Sequence, residues 1–474
     1  MSEALALIDQ LDSEMNATAT AAQERIQNLL DDESHTTDLG NAVRLINRHG
    51  KHIRYSSEMG KWFIWDGRRW EADKTQRIRT MAFDTVREIY REASQAPSES
   101  RRGELATWAV QSESATRISS MVSLAQALVP ITVDALDASP LAFNVNNGVL
   151  NLKTGELLPH NPSFLLTKLA PIDYNPNAMC PTWMAFLERI MGGKQELIEF
   201  LQRAVGYSMT GLTNEHVLFF LYGTGANGKS TFLNTMMSVL GDYAKPTDPD
   251  LLLSKQGDSH PTSVADLMGV RMGITNEIEE GKRLAENLVK QLTGGDVLKA
   301  RYMRQDFFSF TPSHKLWIAG NHKPVIRGQD EGIWRRIRLI PFNVTIPPEH
   351  RDKHLEAKLR REAPGILRWA FEGAMKWRDD GLTFPDEVKA AVDQYRNEQD
   401  VLSGFFEEEC IVNINARVPK GVLYRTYVDW CDENGQKAYS QRRLSQAIQE
   451  RFSVREEKSG NTRFWSGIGL LSEA

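Results

Sequence analysis

Apolar and polar residues follow two different patterns along this chain, and each pattern predicts one kind of secondary structure. Residues 217–222 read VLFFLY, a continuous apolar run that is typical of a strand buried on both faces. Residues 194–211 instead have apolar residues three and four positions apart, which predicts an amphipathic helix. The alternation of such strands with such helices predicts an α/β core. The residues expected on the buried face of this helix are Leu197, Phe200, Leu201 and Ala204.

Changes in this pattern divide the chain into five segments. Short aromatic strands with one helical stretch predict an α+β domain ahead of the core, and amphipathic helices flank the core on both sides. The predicted segments are a polar tail with one amphipathic helix (1–37), an α+β N-terminal domain (38–180), a helical collar (181–213), the α/β core (214–375), and a helical linker with a terminal helix–helix–hairpin domain (376–474).

Turn sequences between the short strands predict hairpins. They turn at Asp66-Gly67, Asn147-Gly148 and Thr154-Gly155 in the N-terminal domain, and at Ser459-Gly460-Asn461 near the C-terminus. The first hairpin, KWFIWDGRRW, contains three tryptophans, and we interpret them as core residues of a small domain. A role in stacking on DNA bases is the alternative.

Composition and charge exclude several classes of protein. The formal net charge of −5 gives no global attraction to nucleic acid, so any such site must be local. The cysteines Cys180, Cys410 and Cys431 lack metal-ligand spacing and argue against a disulfide framework. No apolar run approaches the roughly 18 residues of a membrane span, and the acidic N-terminus is unlike a signal peptide. We therefore expect a cytoplasmic protein without membrane contacts.

Residues 223–230 read GTGANGKS and fit the phosphate-binding pattern G-x-x-x-x-G-K-[ST]. The apolar strand before them and a helical stretch after them supply the context that the motif needs. Glycines turn backbone N–H groups toward phosphate, and the helix N-terminus adds partial positive charge. We expect Lys229 to reach the β- and γ-phosphates of ATP and the Ser230 hydroxyl to bind Mg²⁺. The predicted nucleotide contacts are Gly223, Thr224, Gly225, Ala226, Asn227, Gly228, Lys229, Ser230 and Thr231.

Two later strands are predicted to end in polar residues beside this loop. One ends in Asn276-Glu277, and we predict that Glu277 orients the attacking water and holds the Mg²⁺ shell. Glu279 and Glu280 are alternatives, although they also fit a solvated acidic loop. The other strand, residues 316–319, comes just before Asn321, whose amide is predicted to sense the γ-phosphate.

The chain resembles the superfamily 3 helicases in the order of five segments: GTGANGKS, TNEIEEG, LTGGDVLKARY, KLWIAGNHKP and GIWRRIRLIPF. Among these it is similar to the phage and plasmid primase-helicase family, which is related to the poxvirus primase-helicase. Earlier segments, such as NNGVLNLKTGELLPHNP, resemble the domain that precedes the helicase in that family. The resemblance covers residues 38–345 closely and the C-terminal part more loosely.

This resemblance implies an AAA+-like P-loop ATPase core that works as a ring, usually a homo-hexamer, with ATP at the subunit boundaries. Single-stranded DNA would pass through the channel, gripped by a β-hairpin within residues 298–310 whose tip lies near Met303–Asp306. Basic residues there bind backbone phosphates without reading sequence, and a solvated surface hairpin is the alternative. The predicted DNA-gripping residues are Lys299, Arg301 and Arg304.

Residues 332–342 carry three arginines among large apolar side chains. In a ring of this family the start of the segment faces the ATP of the neighbouring subunit. We therefore predict an arginine finger that acts in trans on the γ-phosphate, with Arg335 as the first choice and Arg336 as the second. Arg338 is expected to be a structural or ring-interface cation.

The C-terminal segment, about residues 418–470, is predicted to form two helices and a hairpin, which is typical of a winged-helix-like DNA-binding domain. Arg442 and Arg443 lie near the start of the expected recognition helix, and residues 458–463 would form the wing. A protein-docking module without DNA contact is the alternative.

Together these features predict an ATP-dependent replicative DNA helicase of a phage or mobile element, acting on single-stranded and forked or origin DNA. Superfamily membership implies 3′-to-5′ translocation. The alternatives are an origin-binding initiator with little processive unwinding and the helicase part of a primase-helicase, whereas a packaging motor fits these segments poorly. About 37 polar residues without a cysteine pair precede the α+β domain, so we expect a separate primase, single-strand-binding protein or loader as partner.

Overall fold

A computed structural model describes residues 35–254, 261–276, 278–302, 306–326, 331–399, 401–435, 438–452 and 454–471 of the chain. The chain forms two compact units. The first contains the chain up to Pro324 together with Arg335–Lys389, and the second contains Val325–Trp334 together with the chain from Ala390 onward. The amphipathic stretch predicted in the N-terminal tail lies outside the described residues.

Residues 35–180 of the first unit form four α-helices and two small antiparallel sheets. The helices are α1 (Asp38–His49), α2 (Arg77–Gln95), α3 (Glu99–Ser112) and α4 (Ala115–Ala125). The strands are β1 (Ile53–Ser56), β2 (Lys61–Trp65), β3 (Trp70–Ala72), β4 (Ala142–Val145), β5 (Gly148–Asn151) and β6 (Leu157–Leu158), paired in the orders β1-β2-β3 and β4-β5-β6.

Two details of these hairpins test the sequence interpretation. Trp62 and Trp70 are buried, which supports their assignment to the core. Val145 pairs with Gly148, so the second hairpin turns at Asn146-Asn147. The predicted turn at Asn147-Gly148 is therefore wrong by one residue, because the glycine already belongs to the strand ladder.

The remainder of the first unit is a parallel sheet with helices around it, which confirms the predicted α/β class. Among the described helices of the protein, none combines the length and apolar character that a bilayer span requires. The helices are α5 (Pro181–Ile190), α6 (Gln195–Met209), α7 (Lys229–Leu240), α8 (Pro261–Ala265) and α9 (Glu286–Leu292), with α11 (Leu355–Arg361) and α12 (Ala363–Asp380) after the last strand. The strands are β7 (Leu218–Tyr222), β8 (Ala244–Pro246), β9 (Met272–Asn276), β10 (Leu298–Ala300), β11 (Phe308–Phe310), β12 (Lys315–Gly320) and β13 (Ile337–Pro341).

Five of these strands form one sheet in the order β13-β7-β12-β9-β8, and every neighbouring pair is parallel. Strand β7 lies between β13 and β12, and its first four residues are buried. A strand buried on both faces must be apolar throughout, which explains the continuous run in the sequence. The carboxyl ends of all five strands lie at the same edge of the sheet, where polar residues can converge.

The far end of α7 is fixed by the N-terminal part of the same unit. The hydroxyl of Tyr243, just beyond α7, accepts a hydrogen bond from Asn144 N at 3.0 Å. Its ring stacks on Phe143 with the ring centroids 4.4 Å apart. The Asp242 carboxylate accepts a hydrogen bond from Leu169 N at 3.1 Å. The helix that follows the glycine-rich loop is therefore anchored at its C-terminal end.

Helices α6 and α12 touch through their backbones at two glycines. A Cβ atom on Gly206 would lie 2.0 Å from Ala374 N, and one on Gly373 would lie 2.0 Å from Gln202 O. The predicted apolar face of α6, which includes Leu197, is buried around this contact. No side chain fits between backbones at this distance, so the crossing requires glycine at both positions.

Gly206→Ala is therefore expected to lower the free energy of unfolding by about 3 kcal/mol, the upper end of typical overpacking costs. Chemical denaturation of the purified protein measures this change. Gly103→Ala is the matched control, because Gly103 lies in the helix α3 with no atom near its missing Cβ. That change should raise stability by about 0.5–1 kcal/mol. Equal effects at the two positions would contradict the backbone contact.

The described residues of the second unit form helices and two small antiparallel sheets around an aromatic core. Helix α13 (Asp386–Glu398) runs from the first unit into the second. The other helices are α10 (Glu331–Trp334), α14 (Val401–Glu409), α15 (Lys420–Glu433) and α16 (Gln441–Arg451). The strands are β14 (Cys410–Ile411), β15 (Arg417–Pro419), β16 (Arg455–Ser459), β17 (Thr462–Ser466) and β18 (Gly469–Leu470), paired as β14-β18 and β15-β17-β16.

Candidate nucleotide-binding site

The glycine-rich loop joins β7 to α7 and contains three left-handed residues. Gly225 and Gly228 have φ angles of 99° and 86°, and Ala226 has a φ angle of 49°. At Gly223 a Cβ atom would lie 2.3 Å from both Phe342 O and Asn227 Nδ2, so only glycine allows this approach. Left-handed residues turn successive peptide groups to one side, which is the geometry that cradles an anion.

The segment that follows β13 holds the loop at its start and at its crest. Tyr222 O, at the end of β7, accepts a hydrogen bond from Phe342 N at 2.7 Å. Ala226 O, at the crest of the loop, accepts one from Ile346 N at 2.8 Å. The segment that follows β13 therefore supports the loop along its length, and the loop is preorganised.

Lys229 begins α7, and its side chain is buried in the loop, with the residue 6% exposed. The ammonium donates hydrogen bonds to Gly223 O at 2.6 Å, to Asn227 Oδ1 at 3.0 Å and to Asn321 Oδ1 at 3.1 Å. All three acceptors are neutral, and none of the described carboxylates forms an ion pair with this nitrogen. Burial lowers the pKa of Lys229, because it removes water from the charged form. A buried cation that no described carboxylate neutralises is suited to receive an anion.

Polar residues stand at the carboxyl ends of β9 and β12, at the same edge of the sheet as the loop. Asn276 ends β9 and is exposed, and Asn321 follows β12 directly. Next along the chain, His322 Nδ1 lies 3.9 Å from Glu280 Oε1. Glu277, predicted as the catalytic and metal residue, lies outside the described residues. The structure thus brings Asn321 to Lys229, as strand order requires, while the carboxylate stays a prediction.

The arginines predicted as fingers lie at the opposite edge of the sheet from their own loop. Arg336 O accepts a hydrogen bond from Leu218 N at 2.7 Å, at the start of β7. The Arg336 side chain is buried, and its Nε donates to Thr293 Oγ1 at 3.0 Å. Arg335 is exposed and has no hydrogen bond or ion pair with any residue that the structure describes. Of the two, only Arg335 presents its guanidinium to solvent.

Arg338 lies inside β13 and stacks on an aromatic ring. Its guanidinium carbon is 4.0 Å from the centroid of Phe384, and burial lowers its pKa to about 10. Stacking of a half-buried guanidinium on a ring is a packing interaction. The position fits the structural role expected for this residue.

The hairpin formed by β10 and β11 has one apolar and one cationic face. Leu298 and Phe310 are buried on one side. Lys299 and Arg301 are exposed on the other, and their charged groups lie 5.1 Å and 4.7 Å from the ring centroid of Phe307. Phe307 itself is 49% exposed. Arg304, the third predicted DNA contact, lies outside the described residues.

The remaining predicted DNA contacts lie in the second unit. Ser440 caps α16 by accepting a hydrogen bond from Arg443 N at 3.4 Å. Arg442 and Arg443 are exposed in the first turn, and the Arg443 guanidinium lies 4.2 Å from the ring centroid of Tyr439. Downstream, β16 and β17 form a hairpin in which Ser459 pairs with Thr462, so its turn falls at Gly460-Asn461.

Sequence reasoning missed two features of these sites. Asn227 was expected only as one of nine nucleotide contacts, yet its amide binds the lysine itself. Phe307 was not singled out, although the alternation of Lys299 and Arg301 with apolar residues already indicated one exposed face of a strand. The exposed aromatic residue opposite them could have been found from that pattern.

Comparison with known protein families gives three matches along the chain. The family described as "D5 N terminal like" matches residues 42–192. A family of unknown function matches residues 221–336, which include the glycine-rich loop. The family described as "Poxvirus D5 protein-like" matches residues 397–466.

Several viral proteins are similar in sequence. They include "Putative helicase L207/L206" of Acanthamoeba polyphaga mimivirus, 27% identical over 63% of this chain and 34% of that protein. "Putative helicase 121R" of Invertebrate iridescent virus 3 is 25% identical over 63% of this chain and 35% of that protein. "Putative primase C962R" of African swine fever virus (isolate Warthog/Namibia/Wart80/1980) is 24% identical over 72% of this chain and 38% of that protein. The chain thus spans little more than a third of the length of these relatives.

A solved structure is also similar along most of the chain. The apo structure of the NrS-1 C-terminal region aligns with 90% of this chain and 98% of that chain, at 11% identity and a TM-score of 0.49. The sequence matches, by contrast, name D5-related families at both ends of the chain, together with viral helicases and a viral primase. These sequence matches support a primase-helicase family related to the poxvirus D5 protein.

Proposed function

We propose that this chain is the ATP-driven motor of a viral or phage DNA primase-helicase. The observation that carries the proposal is the buried Lys229 ammonium, held by three neutral oxygens inside a left-handed glycine loop. A loop of this form between a buried parallel strand and a helix binds nucleotide phosphates. The sheet order, which is 5-1-4-3-2 when its strands are numbered along the chain, supports an AAA+-like core of the superfamily 3 type.

The residues of the loop fit Mg-ATP. Gly225 has no atom within 4 Å of the place that a Cβ would occupy, which leaves the loop backbone open to phosphate oxygens there, and Lys229 supplies the only cation buried in the loop. Ser230 is exposed in the first turn of α7, where its hydroxyl is free for a metal ion, and Glu277 would complete the metal shell. Bound Mg²⁺ would offset phosphate charge. Asn321, at the end of β12, would position the attacking water or sense the γ-phosphate.

Arg335 lies far from the glycine-rich loop of its own subunit. This separation supports a ring in which two neighbouring subunits together form each nucleotide site. Strand β13 pairs with β7 from Ile337↔Leu218 to Pro341↔Tyr222. These two pairs are four residues apart along the strand, which corresponds to about 13 Å. The glycine-rich loop begins after Tyr222, so it lies beyond the second pair. An exposed arginine at the first end does not reach the phosphate site of its own subunit. It would instead contact the nucleotide bound to the neighbouring subunit of a closed ring, which we propose to be a hexamer.

The exposed face of the hairpin is proposed to grip single-stranded DNA. Lys299 and Arg301 would bind backbone phosphates, and Phe307 would then offer its ring to a base. Such contacts tolerate any sequence, which suits a motor that moves along DNA. The winged-helix-like assignment of the second unit, with Arg442 and Arg443 on DNA, is the corresponding proposal for duplex binding.

The hairpin contacts give distinct signatures in DNA binding. Phe307→Ala should weaken binding of an oligonucleotide by about 5- to 100-fold while leaving the salt dependence unchanged, because stacking releases no counterions. Lys299→Ala combined with Arg301→Ala should instead reduce the slope of log K against log salt by about 1.4. Fluorescence anisotropy at several salt concentrations measures both quantities.

Phe83→Ala is the control for the hairpin variants, because Phe83 is 45% exposed on α2, outside the hairpin. It should bind DNA like the unmodified protein. A Phe307→Ala protein with unchanged affinity would remove the stacking contact from the proposal.

The proposed activity is tested with forked DNA that carries no origin sequence. We expect ATP-dependent unwinding of a fork with a 3′ single-stranded tail, and much slower unwinding of a fork with only a 5′ tail. Strand separation is measured by fluorescence in the presence of ATP and of a non-hydrolysable analogue. ATP hydrolysis without strand separation on either fork would favour the origin-binding initiator instead, and no ATP binding would overturn the proposal.

A further inference from the structure

Asn227 links the buried lysine to the strand that carries the arginines. The residue is 3% exposed, and its Oδ1 accepts the hydrogen bond from Lys229 Nζ at 3.0 Å. Its Nδ2 donates to Phe342 O at 3.0 Å, just beyond the end of β13. A single side chain therefore spans the space between the loop cation and the sheet.

The chemistry of the partners fixes the orientation of this amide. An ammonium only donates hydrogen bonds, and a backbone carbonyl only accepts them. The Asn227 oxygen must therefore face Lys229, and its nitrogen must face Phe342. The reversed orientation would place two donors together at one end and two acceptors together at the other. No other uncharged side chain of this size has one donor and one acceptor at the same separation.

The neutrality of this amide matters as much as its shape. Lys229 is held by Gly223 O, Asn227 Oδ1 and Asn321 Oδ1, and none of these oxygens carries a formal charge. Among the residues that the structure describes, these three oxygens thus orient the ammonium without neutralising it. Phosphate can then replace neutral acceptors and gain the full attraction of the cation.

We infer that Asn227 is a positioning residue that holds the Lys229 ammonium in place for phosphate while leaving its charge uncompensated. This inference rests on the proposed nucleotide function and deepens it. The role requires an amide, because a carboxylate would bind the ammonium in competition with phosphate and would face Phe342 O with a second acceptor. An apolar residue would leave the charge free but would release the lysine from one of its three supports.

The inference predicts an unusual order of effects among substitutions at position 227. Aspartate is nearly isosteric with asparagine, so a residue needed only for packing would tolerate Asn227→Asp better than Asn227→Ala. Under the inference the order reverses. We expect Asn227→Ala to weaken ATP and ADP binding about 3- to 10-fold and Asn227→Asp to weaken ATP binding about 30-fold or more.

Equilibrium binding of fluorescent ATP and ADP analogues to the full chain measures this order without relying on turnover. Thermal unfolding of each nucleotide-free protein shows whether the variant is folded. Asn343→Asp is the matched control, since Asn343 follows Phe342 directly and is exposed. It adds the same charge near the loop without touching Lys229 and should bind nucleotide like the unmodified protein.

The outcomes separate this inference from the proposed function. If the unmodified protein binds no ATP, the proposed function fails. If it binds ATP and folded Asn227→Asp binds at least as well as Asn227→Ala, the positioning role is overturned. If Asn227→Asp does not fold, the test rests on Asn227→Ala. Unchanged nucleotide affinity in folded Asn227→Ala would also overturn the positioning role.

Discussion

Lys229→Ala is expected to reduce the rate of ATP hydrolysis by about 10²–10³-fold, the usual effect of removing one preorganised group that stabilises developing charge. The reason is that Lys229 is the only cation buried in the loop, and its charge is not offset by any described carboxylate. Unwinding of forked DNA should be lost in parallel, because translocation depends on hydrolysis. Release of phosphate and strand separation are measured on the same preparation.

Stability distinguishes this loss from a general disturbance of the fold. Burying an uncompensated charge is unfavourable, so Lys229→Met, which keeps the apolar stem, should unfold at the same or a higher denaturant concentration. Lys245→Ala is the control, because Lys245 forms a partly exposed ion pair with Asp266 at 2.7 Å and such pairs contribute little. If Lys229→Ala hydrolyses ATP normally, the loop is not the phosphate site.

Arg335→Ala is expected to reduce ATP hydrolysis by about 10³–10⁵-fold, the range known for arginine fingers, or about 4–7 kcal/mol of barrier. Nucleotide binding should change far less, because a finger acts mainly on the transition state. Arg335→Lys should restore little activity, since an ammonium lacks the forked donor geometry of guanidinium. Arg87→Ala, at an exposed arginine on α2, is the control and should keep full activity.

Mixing two inactive variants tests whether the finger acts in trans. Arg335→Ala subunits carry an intact loop, and Lys229→Ala subunits carry an intact finger. At some boundaries of a mixed ring the two intact groups meet, so part of the ATPase activity should return. No recovery in rings shown to contain both variants would contradict a composite site and would leave Arg335 without its proposed role.

The glycine-rich loop and the sheet were predictable because their signals are local. A short continuous apolar run that ends at a glycine-rich turn favours a strand buried on both faces, and the first four residues of β7 are buried. The spacing of Gly223, Gly228 and Lys229 has few alternative explanations. The family could likewise be recognised from the order of short segments. Each of these inferences depends on residues that are close together in the sequence.

Contacts between distant residues were less predictable. Arg335 and Arg336 look equivalent in the sequence, yet Arg336 is buried against Thr293, which lies 43 positions earlier. The hydrogen bond from Lys229 to Asn321 spans 92 positions and follows only from the order of the strands. Sequence patterns show which side chains are polar, but the topology decides which of them meet.

Arg335 and the glycine-rich loop lie at opposite edges of one sheet. This placement implies that ATPase activity depends on the concentration of the protein. If the arginine finger of every nucleotide site comes from the neighbouring subunit, a monomer has no complete site. Specific ATPase activity should then rise with protein concentration and level off once rings have closed. Under the proposed function, ATPase activity would therefore stay low until enough copies of the chain had accumulated for rings to close.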